Sequence, residues 1–300
     1  MGLSSQLVGT SHECDHPDNI AHLPKLTSSS IHSQGKSREI HDSVENLIQN
    51  TLSVYDLNLD LLRTLKPDLI ITQDICDVCA VPLPQVEEAC KKVLGPGIQI
   101  ITLQPKRLQD IWDDMQKVAE MTDRQEAFHN FKSDVDRRIQ AIRDRIASSE
   151  APKKRILTIE WMDPVMVGGM WVPDMIEMVA GEYLLASPGQ HAMTADQEQL
   201  RSIDPDVVVV KPCGFKLDQT VRDFGTLKEA IPWEQWEIFR TDNIFLVDGN
   251  AYFNRPGPRI IDSLEMLAFC AHPERFRDFG ELYNQKIIRL DPGLKLRKPA

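Results

Sequence analysis

Two cysteines at C-x-x-C spacing, Cys76 and Cys79, are the clearest chemical signal in the sequence. They lie in QDICDVCAVP, directly after the apolar run PDLIITQD. A second group of metal-ligand residue types, His12, Glu13 and Cys14, lies near the start of the chain in SHECDHP. A C-x-x-C pair can be half of a zinc site, a redox dithiol, or two small side chains in a loop that lines a pocket.

Three interpretations of these cysteines stay open. Cys76, Cys79, Cys14 and His12 could together form a Cys3His zinc site, although H-x-C is shorter than the usual spacing between zinc ligands. A thioredoxin-like dithiol opens a helix whose dipole lowers the thiol pKa, but the next helix here is predicted to begin at Pro84 or later. The favoured interpretation is therefore that the cysteines shape a ligand-binding loop.

The elements that position these residues fall into three tracts. In the first, to about residue 106, the pattern predicts a strand, a helix and a second strand at residues 67–74, 84–94 and 98–104. This is the order of a βαβ unit with buried parallel strands. The second tract, 107–149, repeats apolar residues every three or four positions and is predicted to be helical throughout.

The third tract, like the first, alternates predicted strands and helices. Its apolar patterns predict helices and strands at residues 155–162, 173–181, 195–204, 205–214 and 243–250. LLRTLKPDLIITQD resembles QLRSIDPDVVVVKP, since in both a short helix ends in Pro-Asp and runs into a buried strand ahead of a cysteine-bearing loop. We therefore predict an α/β fold of two Rossmann-like lobes, 1–106 and 151–300, joined by a long connecting helical segment, 107–150.

Four loops are predicted to follow strands, and they share a composition rich in Trp, Met, Tyr, Phe, Cys and Arg. They are ICDVCAVP, EWMDPVMVGGMWVP, KPCGFK and DGNAYFNRPGPR. Ligands of open α/β sheets bind beyond the carboxyl ends of the strands. Large apolar and aromatic side chains there are typical of a surface that holds a planar or apolar ligand. We therefore predict a ligand cleft between the two lobes.

Composition excludes several function classes. The net charge of −11 and the pI near 5.2 argue against non-specific nucleic-acid binding. No apolar run reaches the roughly 18–20 residues that a membrane span needs, and six scattered cysteines do not indicate a disulfide scaffold. G-x-S-x-G, P-loop, G-x-G-x-x-G and H-E-x-x-H motifs are absent, which favours a binding protein without a catalytic cofactor.

Four further residues are assigned from their local patterns. Cys90 and Cys270 fall on apolar helix faces and are predicted to lie in the core. His191 and His272 are predicted to lie on the surface.

Five segments together carry a family resemblance: SHECDHP, KPDLIITQDICDVCAVP, EWMDP…MWVP, DPDVVVVKPCGF and DGNAYFNRPGPR. This combination resembles the cobalamin-binding branch of the helical-backbone periplasmic substrate-binding proteins, which serve ABC importers of vitamin B12 and iron chelates. The resemblance implies two α/β lobes joined by one long helix, a shallow cleft and little hinge motion. It also implies an ABC permease as partner, a monomer, and a periplasmic or cell-surface location.

The start of the chain departs from that family pattern. Family members begin with a strand and a helix, preceded by a signal or lipoprotein sequence, whereas GLSSQLVG resembles the tail of that first helix. A truncated start and a shortened form are both open. Because this chain shows no signal peptide, a cytoplasmic location is the alternative to the periplasmic one.

The predicted function is capture of a corrinoid (cobalamin) or a related metal chelate for an ABC importer. The alternatives are a cytosolic metal- or thiol-dependent α/β protein that uses the Cys76/Cys79 loop, and a non-exported corrinoid carrier or sensor. The predicted ligand-binding residues are His12, Glu13, Cys14, Asp74, Cys76, Asp77, Cys79, Trp161, Met162, Trp171, Cys213, Gly214, Phe215, Asn250, Tyr252, Phe253, Asn254 and Arg255.

Overall fold

The computed structural model describes residues 1–29, 34–50, 55–75, 83–95, 97–148 and 153–296. The chain divides into two compact units. Unit 1 comprises Met1–Gly35, Glu39–Gln104 and Asp113–Asn130, and unit 2 comprises Lys36–Arg38, Pro105–Trp112 and Phe131–Ala300. The predicted α/β fold class is confirmed, whereas the lobe boundaries at residues 106 and 150 stay a prediction.

Unit 1 carries two small sheets. Its elements are β1 (Thr27–Ser29), α1 (Ser37–Asn50, begun in unit 2), β2 (Tyr55–Leu57), α2 (Leu59–Leu65), β3 (Leu69–Gln73), α3 (Leu83–Leu94) and β4 (Gln99–Leu103). β1 pairs antiparallel with β2, and β3 pairs parallel with β4 as the βαβ pattern predicts. The prediction that these two parallel strands are buried is wrong, since Ile101 is the one buried residue of β3 and β4. Leu62, Val86 and Cys90 form a buried cluster in this unit, so the prediction for Cys90 is confirmed.

The helical tract consists of two helices, α4 (Leu108–Met121) and α5 (Gln125–Ala147). The prediction of unbroken helix is therefore wrong at residues 122–124. Asp123 adopts a left-handed φ of 53°, and the Arg124 amide donates to the Ala119 carbonyl over 2.8 Å. This six-to-one hydrogen bond closes α4 in the manner of a Schellman motif, at a residue type that tolerates the left-handed region.

Unit 2 is built on one eight-stranded sheet. Its elements are β5 (Lys154–Met162), β6 (Val165–Val167), α6 (Val172–Met178), β7 (Gly181–Tyr183), β8 (Met193–Thr194), α7 (Gln197–Arg201), β9 (Val207–Val210), α8 (Leu217–Ala230), β10 (Ile244–Val247), α9 (Ile260–Ala271), α10 (Arg277–Leu282), β11 (Ile287–Asp291) and β12 (Lys295–Leu296). The sheet order is β12-β11-β10-β9-β5-β6-β8, with β7 also paired to β5. Each strand predicted in this tract is present.

The centre of the sheet is parallel and fully buried. β9 pairs in parallel with both β5 and β10, and every residue of β9 and β10 is buried. Continuous Val and Ile runs form such strands because β-branched side chains pack on both faces of a covered sheet.

Helix α9 lies in the core of unit 2, since ten of its residues are buried. Cys270 is among them, as predicted. The surface prediction for His272, the residue that ends α9, is wrong, because its ring is buried with Nε2 2.8 Å from the Val179 carbonyl oxygen. Burial lowers the pKa of His272. His191 is exposed, as predicted.

Candidate functional site

Three parallel strands of unit 2 end at one edge of its sheet. Ile159 of β5 and Leu246 of β10 both pair with Val210 of β9, so the residues that follow these positions lie side by side. We call the segments at residues 160–164, 211–216 and 248–259 the strand-end surface. It is the edge where open α/β sheets bind ligands.

Trp161 is, with Tyr252, one of the two partly exposed aromatic residues of this surface. Its ring meets Phe215 edge-on with 5.1 Å between centroids, and Phe215 is buried. The Trp161 Nε1 atom is buried and has no hydrogen-bond partner among the described residues. Because Nε1 is buried, the accessible surface of the Trp161 indole is apolar, which suits contact with an apolar ligand.

Trp171 and Phe253 connect two neighbouring loops instead of facing solvent. Both are buried, and the Trp171 Nε1–H donates to the Phe253 carbonyl oxygen over 2.7 Å. Phe253 has a φ of 64° and Met170 a φ of 55°, which is the left-handed region that disfavours bulky residues. The Phe253 amide donates to Ser263 Oγ over 2.9 Å, so surrounding contacts hold this conformation in place.

The close approach of two loops depends on Gly249. A Cβ atom at this position would lie 2.1 Å from the Pro212 carbonyl oxygen. The loop after β10 therefore rests directly on the backbone that follows β9. Gly214, by contrast, has a φ of 76° with no atom near its Cβ position, so glycine is needed there for its backbone conformation.

Arg255 folds back on its own loop. Its Nε–H donates to the Asn250 carbonyl oxygen over 2.6 Å, and Nη2 donates to Asn250 Oδ1 over 2.7 Å. Tyr252 is half-buried, with the Arg259 guanidinium 5.7 Å from its ring centroid. Burial raises the pKa of the Tyr252 hydroxyl, which therefore stays a neutral hydrogen-bonding group.

Sequence reasoning missed Lys211, which is the most unusual side chain of the strand-end surface. It is 0 % exposed, and its Nζ donates to Glu160 Oε2 over 2.6 Å and to Asn254 Oδ1 over 2.7 Å. Asn254 Nδ2 in turn donates to the carbonyl oxygens of Lys211 and Gly249, over 2.8 and 2.9 Å. The signal available in the sequence was a lysine directly after four consecutive valines. A charge at the end of a buried strand needs a partner, which marks the lysine as a residue with a specific role.

The predicted residues of unit 1 lie in a hydrogen-bonded turn region. His12 Nδ1 is 2.7 Å from Thr27 Oγ1, and burial lowers the His12 pKa. Cys14 Sγ is 3.3 Å from Ser11 Oγ. Glu13 is exposed, with Oε1 3.5 Å from His12 Nε2. Asp74 follows β3, and its Oδ2 accepts from Gln104 Nε2 over 2.8 Å.

Cys76, Asp77 and Cys79 lie outside the described residues, so their roles stay predictions. Within the described part of the chain, no group of three or more His, Cys, Asp or Glu side chains is placed to hold a metal ion. The zinc and redox interpretations of the C-x-x-C pair are thus untested.

The predicted residues of unit 2 divide by their burial. The side chains with solvent-accessible surface are Trp161, Cys213, Tyr252, Asn254 and Arg255. The buried ones are Met162, Trp171, Phe215, Asn250 and Phe253. The accessible side chains can contact a ligand directly. The buried side chains pack under the loops and support their conformation. Ligand contact by any of them stays a prediction, as does the cleft.

Comparison with known proteins places the chain among binding proteins. A family model described as "Periplasmic binding protein" matches residues 15–245. A vitamin B12-binding protein of Vibrio vulnificus (strain CMCP6) is 22% identical over 274 residues, which cover 90% of this chain and 83% of that protein.

Two solved structures share the fold. A periplasmic heme-binding protein from Pseudomonas aeruginosa superposes with a TM-score of 0.66 at 18% identity, covering 99% of this chain and 92% of the other. The periplasmic vitamin B12-binding protein of Vibrio cholerae superposes with a TM-score of 0.60 at 18% identity, covering 93% and 92%. No helix in the described ranges combines the length and apolar character needed to cross a membrane.

Proposed function

The chain belongs to the periplasmic binding protein family, and on that premise we propose that it captures a corrinoid for an ABC importer. The family consists of substrate-binding proteins, so the chain is a binding protein and the enzymatic alternative is not retained. The family is periplasmic and works with ABC permeases, and we propose the same compartment and partner class for this chain.

The observation that carries the corrinoid proposal is the match to vitamin B12-binding relatives over 90% of the chain. The strand-end surface supports it, because its half-exposed indole, Trp161, suits the face or edge of a large planar macrocycle. Tyr252 is a partly exposed tyrosine of the same surface, and its hydroxyl can orient a polar side chain of the ligand. The corrinoid is a transported ligand in this proposal, not a catalytic cofactor.

Isothermal titration of the full chain with cyanocobalamin tests the proposal. We expect saturable binding near one equivalent. Trp161→Ala should weaken it by roughly tenfold or more, since one aromatic contact contributes about 1–3 kcal/mol in stacking. Trp236→Phe is the matched control, because Trp236 is buried and its Nε1–H donates to the Leu200 carbonyl oxygen, away from the strand-end surface.

The competing outcomes are distinct. Absence of saturable binding in a chain shown to be folded by its near-ultraviolet circular dichroism overturns the corrinoid proposal. A parallel titration with hemin then asks whether the ligand is a porphyrin chelate, as for the heme-binding protein of Pseudomonas aeruginosa.

A further inference from the structure

The ion pair between Lys211 and Glu160 is asymmetric in its exposure. Lys211 is 0 % exposed, whereas the Glu160 side chain is 24 % exposed. A buried ammonium needs a fixed partner, because an unpaired charge in the interior is strongly destabilising. The lysine therefore holds the glutamate in place, while the Glu160 side chain remains partly exposed at the strand-end surface.

The two carboxylate oxygens of Glu160 have different surroundings. Oε2 accepts from Lys211 Nζ over 2.6 Å. Oε1 has no hydrogen bond to any residue that the structure describes, although an ionised carboxylate can accept at both oxygens. Because Lys211 fixes Oε2, the carboxylate cannot rotate freely, and Oε1 is a preorganised acceptor.

The backbone presents Glu160 in a specific way. Between β5 and β6 the register shifts from Ile159↔Val167 to Trp161↔Met166, which makes Glu160 the extra residue of a β-bulge. Bulges change the direction in which a side chain points and occur frequently near functional sites. Glu160 also precedes Trp161, the indole proposed above as a ligand contact.

Lys211 is tightly enclosed. A Cβ atom at Gly168 would lie 2.9 Å from Lys211 Cε and 3.0 Å from its Nζ, so no side chain larger than glycine fits beside the ammonium. Asn254 binds the same ammonium and also the backbone at Lys211 and Gly249. The lysine has no room to swing towards a ligand, so it acts through Glu160.

We infer that Glu160 Oε1 is a specificity-determining acceptor that selects ligands carrying primary carboxamides over ligands carrying carboxylates. A carboxamide N–H donates to Oε1, whereas a ligand carboxylate meets a like charge that is locked in place. Lys211 is the positioning residue for this acceptor. The inference rests on the proposed function, since the corrin periphery of cobalamin carries primary amides.

The test compares two corrins that differ only in these groups. Dicyanocobyrinamide, whose peripheral side chains are all primary amides, and dicyanocobyrinic acid, whose side chains are all free acids, are titrated into the full chain by calorimetry at neutral pH. Wild type should prefer the amide form. Glu160→Gln should reduce the affinity ratio of amide to acid by roughly 10- to 100-fold, the range expected for a hydrogen bond to a charged group.

Two further variants make the result interpretable. Glu160→Gln leaves Lys211 without its counter-charge, so the double variant Glu160→Gln/Lys211→Met, which removes both charges, should show the same reduced ratio in a folded chain. Glu198→Gln is the matched control, because Glu198 is exposed on α7 and should leave the ratio unchanged.

The outcomes separate the inference from the proposed function. If wild type binds neither cyanocobalamin nor either corrin, the proposed function is overturned, and this inference with it. Binding of cyanocobalamin but not of dicyanocobyrinamide overturns the inference alone, because recognition then does not depend on the peripheral amides. If wild type binds the amide form but both Glu160 variants keep the wild-type ratio, corrin binding stands and Glu160 is only a structural partner of Lys211. A lower ratio in both variants, with the control unchanged, supports the inference.

Discussion

Strand β3 in unit 1 and strand β9 in unit 2 come from similar sequences but have different surroundings. β3 follows KPD and reads LIITQ, while β9 follows DPD and reads VVVV. No residue of β3 is fully buried, and Ile71 is 44 % exposed. Every residue of β9 is buried. An apolar run thus predicts a strand in both units, but it does not predict the depth of burial.

The difference follows from what surrounds each strand. β9 lies between β5 and β10 in the eight-stranded sheet, with α9 packed against β9 and α8 against both of its neighbours. Among the described residues, β3 pairs only with β4. Since the stabilisation from burial is about 25 cal/mol per Å² of apolar surface, the same kind of residue contributes more in the larger sheet.

Truncation of matched isoleucines should give the largest contrast between the units. Ile159→Ala in β5, where Ile159 is 0 % exposed, should lower the free energy of unfolding by about 2–5 kcal/mol through lost burial and a cavity. Ile71→Ala in β3 should lower it by only about 0.5 kcal/mol, the range of surface substitutions. Hydrogen exchange measured by mass spectrometry on peptides of β5 and β3 assigns each effect to its unit.

Tryptophan fluorescence provides a second reading of this contrast, because all five tryptophans lie in unit 2. The urea unfolding transition followed by this fluorescence should move to a lower urea concentration for Ile159→Ala. It should be unchanged for Ile71→Ala. Equal losses for the two variants would mean that β3 is as well covered as β5, and the comparison would fail.

A matched pair of glycines sharpens the comparison at the level of backbone packing. Gly249→Ala should destabilise unit 2 by about 1–3 kcal/mol, because its Cβ would lie 2.1 Å from the Pro212 carbonyl oxygen and the loop would have to move. Gly97→Ala in unit 1 has no atom within 4 Å of the new Cβ and should be near neutral. Thermal unfolding of both variants checks this, and a stable Gly249→Ala would contradict the close approach of these loops.

The smallest expected effect concerns pH. Burial lowers the pKa of His272 in the folded state, whereas an unfolded histidine titrates near about 6.5. Below about pH 6.5 the unfolded state therefore binds more protons than the folded state. The stabilisation that depends on His272 is present above this pH and is lost as pH falls towards the folded pKa. His272→Gln should flatten the fall in stability of unit 2 on acidification.

Urea unfolding at a series of pH values, followed by tryptophan fluorescence, measures this slope. His191→Gln, at an exposed histidine, is the control, and its unfolding free energy should depend on pH with the same slope as that of wild type. His12→Gln extends the comparison to unit 1, where burial also lowers the pKa, and its effect should be visible in the hydrogen exchange of β1. An unchanged slope in His272→Gln would show that its ring is not held neutral by burial.

Local elements were predictable to within a few residues because their signals are local. The strands β3, β4, β5, β9 and β10 and the helix α3 were predicted from apolar periodicity and turn residues. The break between α4 and α5 was not, since Asp123 carries only a weak signal for a left-handed residue. The burial of His272 was not predicted either. Its contact with Val179 joins residues far apart in the chain and leaves no signal in the local sequence.

The candidate site shows the same limit. Trp161, Cys213 and Arg255 were placed on strand-end loops by chain order and by the rule that such loops converge. Lys211 was not recognised, because its importance depends on Glu160 and Asn254, which approach it only in the folded sheet. Trp171 and Phe253 were predicted as ligand contacts, yet the fold buries both and joins them to each other.

The sequence by itself determined the α/β class, the positions of the parallel strands β3, β4, β5, β9 and β10, and the loops that follow the central strands, because hydrophobic periodicity and turn chemistry act over a few neighbouring residues. Only the tertiary structure decided which strands are covered on both faces and which aromatic residues keep an accessible surface. It also decided that the buried Lys211 fixes Glu160. Burial and charge pairing depend on residues about 40 to 50 positions apart in the chain, as for Lys211 with Asn254 and Glu160. Their energetics therefore emerge only when the sheet brings these residues together.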